Sequence, residues 1–312
     1  MSRLAGVTLL CAASFALSPP AYADMLVPTE DRAATFVIGR ISSDLRRTLP
    51  RLDAMANHMA GKLADVGYRR GHGIVVGSLE EMATLLRDGQ IDMISESPLS
   101  ALRLSQASGA EIALREWKDK VPVYRGVVIV AKNSPVQRLE DMRGRRIVLE
   151  DRGSTTGYLI PLAALQAAGL SPVELPTLDA PVPDGKVGYI FSGSELNVAS
   201  WTARGLVDAG AYSDLDLEDN DRTPKRMRKD LRVIYLSQPA LRSVALLSAG
   251  LSAERRARII AELLALGTDE TAQTVRQEYY RLRRYDALDD EARHNLENIR
   301  AAAAALGAAV MK

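Results

Sequence analysis

Asp151-Arg152-Gly153-Ser154-Thr155-Thr156-Gly157-Tyr158-Leu159-Ile160-Pro161 is the stretch from which the fold is read. The β-prone run Arg146 to Glu150 precedes it and the apolar run Leu162 to Ala168 follows it, so the segment reads as a strand, a tight glycine turn and the first turn of a helix. A helix start leaves its first N–H groups without intrahelical partners. Here three hydroxyl side chains crowd that point between two glycines, which suits a small anion. A helix cap explains one of the hydroxyls equally well. No Lys follows Gly157, so the turn is not a nucleotide P-loop, and the G-x-S-x-G pattern of a serine-hydrolase elbow is absent.

The chain has 312 residues, enough for one large or two medium domains, and its apolar content of 47% supports a sizeable core. Lys+Arg 40 against Asp+Glu 39 leaves no overall field to gather nucleic acid or an acidic membrane, so a small-molecule partner is favoured. Arg3, the apolar run Leu4 to Leu17 and the A-x-A site Ala21-Tyr22-Ala23 read as a cleaved secretory signal, residues 1–23, with the mature chain starting at Asp24. Cys11, the one cysteine, lies inside that run, so no disulfide is expected. Leu10 before it is too large for a lipid-attachment site.

From Thr35 onward strands alternate with helices. Thr35 to Gly39 is a buried-strand run, and Leu52, Met55, Met59, Leu63 and Val66 recur at helical spacing with Pro50 in the first turn. Ile74 to Gly77 is the next strand, Ser78-Leu79-Glu80-Glu81 fits a capping box, and Ile91 to Ile94 is a third strand, followed by a helix through Ser108. After the long β-prone run Val121 to Val130 the alternation restarts: strand 146–150, helix 158–168, strand 187–191, helix 195–204, strand 206–211. The β-prone stretches 231–236 and 244–247 and three helical stretches finish the chain. Two βα sets imply an α/β protein of two lobes with mostly parallel sheets. Ligands of such sheets bind at the carboxyl ends of the strands. Four polar turns stand there: Ser42-Ser43, Glu96-Ser97, Ser154-Thr155-Thr156 and Ser192-Gly193-Ser194-Glu195.

Several stretches together resemble the periplasmic substrate-binding proteins of phosphate/phosphite/phosphonate ABC transporters. They are Gly89 to Met93, Asn133-Ser134-Pro135 with Leu139 to Gly144, Gly153 to Pro161, and Phe191 to Ser194 with Gly205 to Gly210. The resemblance implies a two-lobed type II periplasmic binding protein with a ligand cleft between closing lobes: lobe one from residues 24–122 and 238–312, lobe two from 123–237. It implies phosphonate or phosphate oxygens held by Ser154, Thr155 and Thr156, an aromatic wall at Tyr124, a monomer in the periplasm and a membrane ABC permease as partner. Where many members continue the Ser-Gly-Ser motif with His and Asp, this chain has Glu195-Leu196-Asn197. A carboxylate beside a phosphonate repels it unless the ligand also carries a cation. Glu96, Glu195 and Asp214, with Ser194 beside them, are therefore expected to hold the positive end of a zwitterion. Glu195 as a helix-start acid is the competing reading.

Trp117, before the first crossover, is the second aromatic candidate for the cleft. The three histidines share no metal-ligand spacing, and no cofactor is expected. The acidic run Asp214 to Asp221 lacks a calcium loop's glycine and reads as a solvated surface loop. No nucleophile–base pair suggests an enzyme. The alternative to import is ligand presentation to a membrane sensor on the same fold.

Overall fold

The computed structural model describes residues 22–119 and 121–311. Most of the expected signal peptide, Cys11 included, lies outside the described residues. Fourteen strands are found among them: β1 (Thr35–Ile41), β2 (Arg70–Val76), β3 (Met93–Glu96), β4 (Glu111–Lys118), β5 (Val123–Tyr124), β6 (Gly126–Ala131), β7 (Arg146–Leu149), β8 (Pro172–Glu174), β9 (Val187–Phe191), β10 (Ala209–Ser213), β11 (Leu231–Leu236), β12 (Ala240–Leu241), β13 (Ser243–Leu247) and β14 (Leu282–Ala287). One sheet has the order β14-β4-β13-β3-β1-β2, the other β11-β6-β10-β7-β9-β8, and β5 pairs with β12 between them. The chain thus passes from the first sheet to the second at β5 and returns at β12, antiparallel strands lying side by side.

Both sheets are mixed. β1 runs parallel to β2 and β3, while β13 is antiparallel to β3 and β4, and β14 is antiparallel to β4. In the second sheet β7, β8, β9 and β10 are parallel, and β6 is antiparallel to both β10 and β11. β4 and β14 were not expected from the sequence. Arg115, Glu116 and Lys118 in one, and Arg283, Arg284 and Asp286 in the other, break the apolar signature by which a strand is recognised.

Local chemistry accounts for the helices. Asp44 caps Leu45–Lys62, accepting from the Arg47 N–H at 3.1 Å, so the helix starts earlier than Pro50 suggested and carries that proline inside it. Its buried face, Leu52, Met55, Ala56 and Met59, lies on β2 so closely that a Cβ at Gly71 would come within 1.9 Å of the Ala56 backbone. Asn57 and Asp53 accept from the Gly71 and Gly73 N–H groups at 3.0 and 2.7 Å and fix that approach. Ser78 and Glu81 form the expected capping box of Leu79–Arg87. Helices Pro98–Ser108 and Asp290–Leu306 join the lobes: Leu99, Leu102, Ile299 and Ala303 pack in the second sheet's core, while Ala101, Leu104, Ala292 and Leu296 pack in the first's.

Candidate functional site

The carboxyl ends of β1, β3, β7 and β10 open into one cleft of about 1280 Å³ between the sheets, with Tyr124 of β5 and Arg242 beside β12 at its base. Parallel strands of both lobes deliver polar residues there because each ends in a turn that starts a helix.

The 151–157 turn is held from both sides. Ser154 caps a π-helical turn, Thr155–Leu159, which continues as the α-helix Ile160–Ala167. Its hydroxyl accepts from the Gly157 N–H at 2.8 Å and donates to a Glu150 carboxylate oxygen at 2.8 Å. Thr155 is fully buried and its hydroxyl accepts from the Leu99 N–H at 3.0 Å, which ties the turn to the helix Pro98–Ser108. The Ser97 and Ser100 hydroxyls donate to the Gly153 carbonyl at 2.6 and 3.2 Å, and Arg103 donates to the Arg152 carbonyl at 2.7 Å. Ser154 and Thr156 line the cleft; Thr155 belongs to the contact between turn and helix.

The second-sheet wall is acidic. Glu150, Asp151, Glu195, Asp216, Glu218 and Asp219 line the cleft there, outnumbering the neighbouring Arg152 and Arg222. Burial pushes the Glu150 carboxyl well above its ordinary range, and the nearby Asp151, Glu195 and Asp216 charges push it further. Burial also raises Asp151, and raises Asp216 to about 6, against the Ser213 hydroxyl that donates to Asp216. Glu195 is paired with Arg222 at 2.7 Å. The first-sheet wall carries Arg40, Lys118, Arg242 and Arg281, with the carboxylates Glu80, Glu96 and Asp119 among them. Burial raises the Glu96 carboxyl, opposed by Arg40 and Lys118, and one of its oxygens is buried without a hydrogen-bond partner among the described residues.

Of the residues expected from sequence, Ser154, Thr156, Tyr124, Glu96 and Glu195 come together in the cleft. Ser194 lies outside it and caps Glu195–Ala203, accepting from the Asn197 N–H at 3.2 Å. Asp214 also lies outside; its carboxylate accepts from the Arg125 and Leu215 N–H groups, both at 2.9 Å. Trp117 stands elsewhere, its indole donating to Asp286 at 2.8 Å. Glu150, Asp151, Asp216 and the four basic residues were missed. Glu150 and Asp151 carried a readable signal, being the last strand residue and the first of the polar turn. Among the described residues no three His, Cys, Asp or Glu side chains are arranged to hold a metal ion.

The family model described as ABC transporter, phosphonate, periplasmic substrate-binding protein matches residues 41–292. Among solved structures, XAC2383 from Xanthomonas citri bound to chloride ion is 27% identical, with a TM-score of 0.84 over 88% of this chain and 98% of that one. The same protein bound to ATP superposes with a TM-score of 0.82. PhnD1 from Prochlorococcus marinus in complex with methylphosphonate is 17% identical, TM-score 0.63, covering 86% of this chain and 97% of that one.

Proposed function

Because the chain belongs to the family of periplasmic substrate-binding proteins of phosphonate ABC transporters, we propose that its cleft receives a small phosphonate-like anion or zwitterion and presents it to a membrane ABC permease. The observation that carries the reading is the cleft's charge: carboxylates on the second-sheet wall face arginines and a lysine on the first. A ligand with both charges finds a complement at each end, whereas plain phosphate leaves the acids unpaired. Tyr124, Ser154, Thr156, Glu96 and Glu195 are the contacts expected from sequence that this reading keeps.

Residues 24–122 and 238–312 form one lobe in this reading and 123–237 the other, closing about the β5–β12 pair. The protein acts as a monomer in the periplasm after loss of residues 1–23, and no bond is made or broken in the cleft. A second reading, a nucleotide ligand, is favoured by the size of the cleft and by ATP in the 27% identical XAC2383.

Thermal shift and calorimetry with 2-aminoethylphosphonate, ethylphosphonate, phosphate and ATP test both. Ligand at about 100 times Kd stabilises by about 2.7 kcal/mol, a shift that is readily measured. The amine should bind more tightly than its deaminated analogue by about 2 kcal/mol or more, as expected for a desolvated charge pair. Equal affinity for the two phosphonates refutes the zwitterion, and preference for ATP selects the second reading.

A further inference from the structure

Of the three hydroxyls in the turn, two are already engaged, and Thr156 is the one left facing the cleft. The Ser154 hydroxyl donates a hydrogen bond to Glu150, the Thr155 hydroxyl accepts from the Leu99 N–H, and the wall around them carries Glu150, Asp151, Glu195 and Asp216. An oxyanion placed there would stand among carboxylates.

The opposite wall has spare positive charge. Arg40 leaves the end of β1 on the strand face that carries Phe36 and Ile38, and so emerges from the core beside the cleft. It donates to the Ser95 carbonyl at 2.9 Å and its guanidinium lies 4.6 Å from the centre of the Tyr280 ring. Among the described residues, the ion pairs within 4.0 Å give it no carboxylate. Arg242 and Arg281 share a single carboxylate, Asp119, at 3.3 and 3.1 Å. Lys118 has the buried Glu116 at 3.8 Å, and Glu116 is itself fixed by the Ser243 hydroxyl at 2.5 Å. Register brings these residues together: β1, β3, β13, β4 and β14 are adjacent, and Glu116 lies opposite both Ser243 and Tyr285.

The wall is also held rigidly. Asp119, Tyr280 and Arg281 have left-handed backbones, φ 54°, 52° and 59°, and the Asp119 N–H donates to the Arg281 carbonyl at 2.8 Å. Such conformations persist where the surroundings impose them. They set Arg281 and Arg242 on the two sides of Asp119.

We propose that the anionic group of the ligand is received on the first-sheet wall by Arg40, Lys118, Arg242 and Arg281, and that the 154–156 turn faces the ligand's cationic end. The placement rests on the reading of the cleft as a site for a phosphonate-like ligand, and it reverses the polarity expected from the sequence. Glu96 stands on the same wall, its carboxyl raised by burial against Arg40 and Lys118, with one oxygen buried and without a hydrogen-bond partner among the described residues. Arg40 supplies the guanidinium fork that suits a phosphonate's paired oxygens.

The test is calorimetry at pH 7.5 on the mature chain, with methylphosphonate and 2-aminoethylphosphonate as probes. Arg40→Met should weaken methylphosphonate by about tenfold or more, the loss of one charge-assisted hydrogen bond, and Arg40→Lys by less. Lys118→Gln, whose amine rests on Glu116, should weaken it in the same direction and covers the case in which Arg40→Met fails to give a cooperative thermal transition. Thr156→Val should cost methylphosphonate less than Arg40→Met does. A larger loss in Thr156→Val than in the Arg40 and Lys118 variants returns the anion to the hydroxyl turn and overturns the placement alone. Wild-type protein that binds neither probe overturns the ligand class, and the placement with it.

Discussion

Asp216 allows the acidic wall to be tested without any ligand. Its carboxyl is raised from an ordinary 3.8 to about 6, first by burial, and then by the charge of Glu195. The folded chain therefore binds a proton here more tightly than the unfolded chain does. The contribution is fully present below about pH 3.8, is lost as pH rises from there through about 6, and changes little above that. At pH 7.5 the ionised group costs up to about 3 kcal/mol, some two pKa units at about 1.4 kcal/mol each. The site is half-buried, so remaining hydration makes that figure a ceiling.

Between pH 7.5 and 5 about 1.4 kcal/mol of the cost is recovered, because at one unit below its folded pKa the group is about nine-tenths protonated. Asp216→Asn removes the titration but keeps an acceptor for the Ser213 hydroxyl. The variant should be more stable than wild type at pH 7.5, and its lead should shrink by about 1.4 kcal/mol at pH 5, roughly 3–5 °C in Tm. Urea denaturation and differential scanning fluorimetry at the two pH values measure the gap. A cationic ligand group prefers the ionised wall, so 2-aminoethylphosphonate should bind wild type roughly tenfold more weakly at pH 5 than at 7.5. A stability gap that stays constant or widens toward acid refutes the burial argument; Glu150, which the Asp216 charge also raises, shifts in the same direction in the variant.

Thr155→Val leaves the Leu99 N–H without its acceptor and should lower stability by about 1–3 kcal/mol in urea titrations; an unchanged midpoint would show that the turn and the helix are not coupled by this bond. Gly71→Ala sets a Cβ against the Ala56–Asn57 backbone, where nothing can move aside, and should cost at least about 3 kcal/mol by circular dichroism melts; a wild-type melt refutes the packing. Arg222→Gln removes the partner of Glu195 and should strengthen 2-aminoethylphosphonate relative to ethylphosphonate in calorimetry, whereas an unchanged ratio takes Glu195 out of the selectivity argument. N-terminal sequencing of the exported protein should begin at Asp24, and a retained Met1 refutes the cleavage site.

What could be read from the sequence and what could not follow from the range over which each feature is determined. The Ser78 capping box, the Ser154 turn and the alternation of strands with helices depend on residues within about ten positions of one another, and a periodicity or cap reports them directly. β4 and β14 escape that reading because they end on the cleft and the surface, so their charged residues look like those of a solvated loop until the partner strand is known. The same argument explains the basic wall. Arg40, Lys118, Arg242 and Arg281 belong to four separated segments, and only the strand order β14-β4-β13-β3-β1 brings them to one edge. No local signal distinguishes an arginine of that edge from one in water. The hydroxyl turn drew attention because its pattern is local, yet the Ser154 and Thr155 hydroxyls are committed to Glu150, Gly157 and Leu99, partners that the pattern alone does not reveal. A polar motif thus locates the cleft, while the sign of the charge on each of its walls is a property of register and can be argued only once the sheets are built.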